Sequence, residues 1–220
     1  MKTYKIHFIR HGLTQGNLDG TYVGHKDLPV CEQGIAQLKQ LKADMIYPDV
    51  PVLFSSPLTR CIETSKIIYP DMDPIIIRDL IEYNFGEFEG RSADELKDDE
   101  VFGAWLSGGP TAAPPFGETN EDFGNRISNA FEKIVDGLLK TGVTEAAIVT
   151  HGGVIMGLMS RYALPEMPMP EWLVPNGCGY TLLITPTLWT HAKKVEAIAE
   201  IPFAPEELED TDSAEDSKED

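Results

Sequence analysis

A chain of 220 residues with 42% hydrophobic content has ample material for a buried core and sits near the upper end of a single-domain length. Its net charge of −18 speaks against nucleic-acid binding through a basic face. Three scattered cysteines, Cys31, Cys61 and Cys178, speak against a disulfide framework or a structural zinc site. Part of the charge is local, because residues 206–220 hold nine acids and one lysine, a net of −8 that leaves −10 for the rest. With no large apolar residue after Leu208, segment 204–220 is expected to be a disordered, solubilising tail, and residues 1–203 one α/β domain.

The opening MKTYKIHFIRHG is too short and too polar for a signal peptide or a membrane span, so a soluble cytoplasmic protein is expected. Within it, YKIHFIR reads as a first strand ending at a glycine loop. Over 32–46, apolar Ile35, Leu38, Leu41, Met45 and Ile46 recur at helical spacing until Pro48 and Pro51. A strand over 52–55 follows, and then a helix after Ser56-Pro57, with the proline in its first turn, running to about Tyr69. A third strand is expected over 75–77. From 83 to about 125 the pattern changes to a small inserted cap, and GGPTAAPPFG at 108–117 is too rich in Pro and Gly for regular structure. Thr119 and Asp122 have capping-box spacing ahead of a long helix carrying Phe123, Ile127, Phe131, Ile134 and Leu138. A buried strand over 146–150, a helix over 154–162 and closing strands over 180–185 and 195–201 complete the chain. Strands alternating with helices imply a mostly parallel sheet covered on both faces.

Three polar clusters sit just past predicted strands: Arg10-His11-Gly12, the stretch from Ser55 to Arg60, and His151-Gly152-Gly153. In an open α/β sheet the carboxyl ends of parallel strands share one edge, where ligands bind, so these clusters are expected to converge. Two arginines and two histidines suit a phosphoryl group. Arg10 and Arg60 offer planar donor forks to its oxygens. His11 can attack phosphorus through an uncharged lone pair, and His151 suits a donor in the transition state. The flanking glycines are expected to let the phosphate approach the backbone. His7 is expected to be structural, and His25 and His191 have no evident partner.

RHGLTQGN, SSPLTRCIET, EYNFGEFEG and THGG, in this order, resemble the motifs of the histidine phosphatase superfamily, also called phosphoglycerate mutase-like, over roughly residues 3–200. The resemblance implies a three-layer α/β/α fold and metal-independent, cofactor-free phosphoryl transfer. It further implies His11 as the phosphorylated residue, Arg10, Asn17, Arg60 and His151 as the phosphate pocket, and Glu82 as proton donor. Glu87 and Glu89 read as charges on the cap surface.

The superfamily holds phosphatases and mutases. Its mutases place arginine directly after the catalytic glutamate and more arginines in the insert, where this chain has Tyr83 and, from 92 to 125, only Lys97. That favours hydrolysis of a small phosphate ester. Segments GTYVGHKDLPVCEQG and FGAWLSGG are similar to those of α-ribazole phosphatases, and a sugar phosphate is the other candidate. Phe102, Trp105 and Phe116 either wall the leaving group or pack the cap. A phosphoglycerate mutase and a non-catalytic phosphate-binding protein are the alternatives. No nucleic-acid or membrane partner is expected, and the oligomeric state stays open.

Overall fold

Strand β1 (Tyr4–Arg10) is buried along most of its length, as a strand covered on both faces must be. The computed structural model, which describes residues 2–205, continues from it through α1 (Gln15–Leu18), α2 (Glu32–Asp44), β2 (Leu53–Ser55), α3 (Thr59–Ile68) and β3 (Ile75–Ile76). Next come α4 (Ala93–Leu96), α5 (Glu100–Leu106), α6 (Asn120–Thr141), β4 (Glu145–Thr150) and α7 (Gly152–Tyr162). The last elements are β5 (Ala163–Leu164), β6 (Gly179–Ile184), α8 (Pro186–Ala192) and β7 (Val195–Ile201). The strands form one sheet in the order β3-β2-β4-β1-β6-β7-β5, in which β6 alone runs against the others.

Parallel neighbours require crossovers, and the helices making them cover the two faces. Because side chains alternate along a strand, Ile6 and Phe8 of β1 join Ala146 and Ile148 of β4 in one core, with Phe131 of α6, Leu158 of α7 and Trp189 of α8. Ile9, Ala147 and Val149 point to the opposite core, with Leu38 of α2 and Cys61 of α3. This is the α/β/α sandwich with a mostly parallel sheet that the sequence predicts. Helix α6 illustrates the energetics: Phe123, Ile127, Phe131, Ile134 and Leu138 are all buried, each burial stabilising by roughly 1.5–3 kcal/mol.

Several expected boundaries move. Helix α2 ends at Asp44, since Met45 is extended and Ile46 bridges instead to Phe203. Helix α3 begins at Thr59 with Leu58 as N-cap, so Pro57 precedes the helix rather than sitting in its first turn. Ile77 leaves β3 to open a 3-10 turn at Arg78–Leu80. Helix α7 takes in both glycines after His151, which becomes its N-cap. At α6 the Thr119 hydroxyl accepts the Asp122 N–H at 3.0 Å, but Asp122 returns to that hydroxyl (2.7 Å) and not to the Thr119 backbone, so half of the expected box forms.

Within 83–125, the stretch 108–117 lacks regular structure, as expected, whereas α4 and α5 had no clear signal. Phe88, Leu96 and Phe102 form a small core of their own there, joined by Tyr22, Phe85 and Trp105. Among the described residues, Cys31, Cys61 and Cys178 are unpaired and no helix is long and apolar enough to cross a membrane. The acidic tail, from residue 206 on, lies outside the described residues.

Candidate active site

β2, β4 and β1 are adjacent, and their register brings the three polar clusters to one level. Arg10 pairs with Thr150 and Ser55 with Val149. The ladder runs one residue further, as His11 N–H donates to the Thr150 carbonyl at 2.9 Å and Ser56 N–H to that of Val149 at 3.0 Å. The rings of His11 and His151 meet edge to face, their centroids 5.2 Å apart.

His11 is buried, with Nδ1 2.8 Å from the Gly12 carbonyl oxygen. A carbonyl only accepts, so Nδ1 carries the proton and Nε2 keeps its lone pair. Burial above all, and then Arg60 and Arg10, hold its pKa well below the usual histidine value against the opposing Gly12 bond. His11 is therefore neutral at pH 7. His151 is fully buried, and burial and Arg60 likewise push its pKa well down. Its Nδ1 accepts from Arg60 Nε at 3.3 Å, which leaves Nε2 to donate to the Ser56 hydroxyl at 2.7 Å.

Arg60 is buried in the first turn of α3. Its Nη1 donates to the Lys26 carbonyl (3.0 Å) and Nη2 to that of Gly24 (2.8 Å). Three of its five N–H groups are thus used and two remain for a ligand. The loop receiving it is itself fastened: Asp27 accepts the Thr59 N–H and hydroxyl, each at 2.8 Å, and Glu89 accepts the N–H groups of His25 (2.6 Å) and Lys26 (2.7 Å). Arg10 donates from Nη1 to the Val174 carbonyl at 2.7 Å, while its buried Nε–H has no partner. A buried donor without an acceptor costs about 1–3 kcal/mol, a cost that an anion in the site would relieve.

Glu82 is buried at the start of α7, Oε1 accepting the Tyr83 N–H (2.8 Å) and Oε2 the Gly153 N–H (2.9 Å). Burial raises its pKa, and these two bonds with Arg60 and Arg10 oppose the shift without cancelling it. At both glycines after His151 an added Cβ would meet protein groups. A Cβ at Gly152 would sit 3.3 Å from Arg10 Nε, and one at Gly153 would strike the Glu82 carboxylate.

Arg10, His11, Arg60, Glu82 and His151 therefore converge. Asn17, the third residue of α1, closes a capping box with the N-cap Thr14, its Oδ1 accepting from the N–H (3.1 Å) and hydroxyl (3.0 Å) of Thr14, and its side-chain Nδ2 has no partner among the described residues. His7 is held between Thr181 and Glu145 at 3.0 Å each, and His191 is exposed at the end of α8. His25 gains a partner, its Nε2–H donating to the Glu82 carbonyl at 3.0 Å. Glu89 is a clamp on the 24–26 loop rather than a loose surface charge. Phe102 is packed inside the segment and Trp105 stacks among its aromatics, whereas Phe116 is 87% exposed. Sequence reasoning put Ser56 in a converging cluster without a role of its own, and missed Asp27, Thr64, which accepts the Gly12 N–H at 2.8 Å, and Arg126, which donates to the Glu82 carbonyl at 2.7 Å. Serine and threonine hydroxyls carry no pattern of their own, but Arg126 follows directly on the base-poor stretch and was open to notice.

Known proteins resemble the chain in sequence and fold. The adenosylcobalamin/alpha-ribazole phosphatase of Escherichia coli K12 is 30% identical over 179 residues, covering 79% of this chain and 87% of the relative. A 2,3-bisphosphoglycerate-dependent phosphoglycerate mutase of Bifidobacterium longum is 28% identical over 190 residues, covering 71% and 76%. The crystal structure of the alpha-ribazole phosphatase from Shigella flexneri superposes with a TM-score of 0.72 at 26% identity, covering 90% of this chain and 96% of that one. The model of the histidine phosphatase superfamily (branch 1) matches residues 6–196, and with it the chain belongs to that superfamily.

Proposed function

We propose that this protein hydrolyses a small phosphate monoester in two steps through a phosphohistidine at His11. The observation that carries the reading is the set tautomer of His11, with Nδ1–H on the Gly12 carbonyl and a bare Nε2 beside two arginines and a second histidine. Nε2 attacks phosphorus as the ester P–O bond breaks, and the positive charge that develops on the ring is met by the Gly12 carbonyl. The spare donors of Arg60 and the partnerless Nε–H of Arg10 take the phosphoryl oxygens, and His151 supports the charge in the transition state. Glu82 gives its proton to the departing alkoxide and then takes one from the water that breaks the P–N bond. Asn17 adds its free amide to the pocket.

Hydrolysis is favoured over isomerisation because neither Lys97 nor Arg126, the two bases from residue 92 to 126, is placed to meet a substrate carboxylate. Lys97 is exposed at the end of α4, and the Tyr83 hydroxyl is spent on the Glu118 carbonyl at 2.6 Å. Arg126, the next base, has no donor free. An α-ribazole-type phosphate ester is the proposed substrate, because two of the relatives named above are α-ribazole phosphatases. Acid-sensitive label from a labelled ester should appear on the wild type and vanish, with turnover, in His11→Ala. Label kept by that variant would move the nucleophile elsewhere. Isomerisation of a phosphoglycerate without release of phosphate would identify a mutase.

A further inference from the structure

Arg126 lies in the early turns of α6, and all five of its N–H groups have protein acceptors. Nε and Nη2 make a fork on Glu118, to Oε2 at 2.9 Å and Oε1 at 2.6 Å. Nη1 donates to the carbonyls of Asp79 (2.9 Å) and Ile81 (2.6 Å), and Nη2 also to that of Glu82 (2.7 Å). Asp79 lies within a 3-10 turn and Ile81 and Glu82 follow it, none of them in a strand, so no ladder supplies their donors, and the Glu82 carbonyl has His25 Nε2–H as its other partner. Glu118 fastens the other side of the same stretch. Its Oε1 accepts the Asn84 N–H at 2.7 Å, and its carbonyl accepts the Tyr83 hydroxyl. Residue 82 is thus gripped from 79 to 84 by one guanidinium–carboxylate unit, both of whose side chains are less than 20% exposed.

We propose that Arg126 and Glu118 are the positioning pair of the acid: by fixing the backbone around residue 82 they deliver the Glu82 carboxyl to the leaving-group oxygen. The inference rests on the reading of Glu82 as proton donor. The pair acts through geometry rather than field, since the groups that shift Glu82 are burial, its two N–H partners, Arg60 and Arg10, and Arg126 is not among them. Glu118 pairs with Arg126 at contact distance, and the field that Arg126 still exerts falls on His151, whose pKa it helps to lower, and not on Glu82. Lysine cannot replace this arginine, because a single ammonium has three donors and no planar fork.

The test is single-turnover formation of phosphoenzyme from an alkyl phosphate and from p-nitrophenyl phosphate, whose anion leaves without a proton. Arg126→Lys and Glu118→Gln are made alone and on Glu82→Gln, with vanadate inhibition and circular dichroism as checks on the pocket and fold. Arg126→Lys is expected to slow the alkyl ester about 10- to 100-fold, the scale of a misplaced catalytic group, and p-nitrophenyl phosphate no more than about threefold. Vanadate inhibition should hold, and the effect should disappear on the Glu82→Gln background, as a residue acting only through Glu82 requires. Glu118→Gln should act in the same direction, and it decides the matter if the lysine variant does not fold, because it keeps the side-chain shape. Equal slowing of both esters, or a factor that survives on Glu82→Gln, overturns the positioning role. If Glu82→Gln itself slows both esters equally, the acid assignment falls first, and the pair's role with it.

Discussion

Gly153 shows how tightly Glu82 is seated at the scale of single residues. Its N–H holds Glu82 Oε2, and a Cβ there would come within 3.1 Å of Glu82 Cδ as well as striking the carboxylate. Gly153→Ala is therefore expected to turn the carboxyl out of line and slow single-turnover phosphorylation from an alkyl phosphate by about tenfold or more. A rate within a factor of two of wild type would show that Glu82 tolerates displacement and that the Gly153 bond does not set its aim. The convergence of Arg10, His11, Arg60 and His151 was legible because their clusters follow predicted strand ends, whereas Glu82 was legible only through the family resemblance of EYNFGEFEG. Their protonation was not legible. Whether Glu82 stays protonated depends on burial against two arginines, and the proton on His11 depends on a carbonyl one residue away; both are facts of packing that a one-dimensional pattern does not carry.

The elements place these residues through their ends, so a boundary shifted by two residues changes the chemistry. Starting at Thr59 puts Arg60 in the first turn of α3, and Asp27, 32 residues earlier, accepts the N–H and hydroxyl of Thr59. Asp27→Ala removes those bonds and frees the loop whose carbonyls hold Arg60. A loss of about 1 kcal/mol, typical for a helix cap, predicts a melting temperature lower by roughly 2–4 °C, and a looser Arg60 predicts a higher KM for phosphate esters. An unchanged KM beside the lower melting temperature would mean that Arg60 is held without the loop. The long periodic helix α6 was legible because Phe123 to Leu138 repeat at its period. Helices α4 and α5 were not, since four and seven residues give too few turns to show a period, and Phe102 and Trp105 of α5 pack on Tyr22 from a distant loop.

The whole molecule buries three histidines, His7, His11 and His151, and this sets how its stability depends on pH. The sandwich itself was legible because strands and helices alternate along the chain, but the antiparallel run of β6 was not, since its hydrophobic content resembles that of its parallel neighbours. All three histidines have pKa values below the ordinary 6.5, burial being the largest cause in each. The unfolded chain takes up protons near pH 6.5, whereas the native state resists until a lower pH. Their stabilising contribution is thus complete above about pH 6.5 and lost as pH falls below it. Glu82 has the opposite sign: its raised pKa keeps a proton in the native state, a contribution lost as pH rises through that value. Each buried histidine lets the unfolded chain hold up to one proton more than the native state below pH 6.5, roughly 1.4 kcal/mol per pH unit, and Glu82 opposes by at most one, so stability should fall as pH falls. Denaturant titrations at pH 7, 6 and 5, in buffer free of phosphate, measure this directly. His151→Gln should reduce the slope by about one proton, or roughly 1.4 kcal/mol per unit, whatever its effect on stability at pH 7. A flat profile from pH 7 to 5 in the wild type would mean that the histidines are not held neutral by burial, and the uncharged nucleophile at His11 would fall with it.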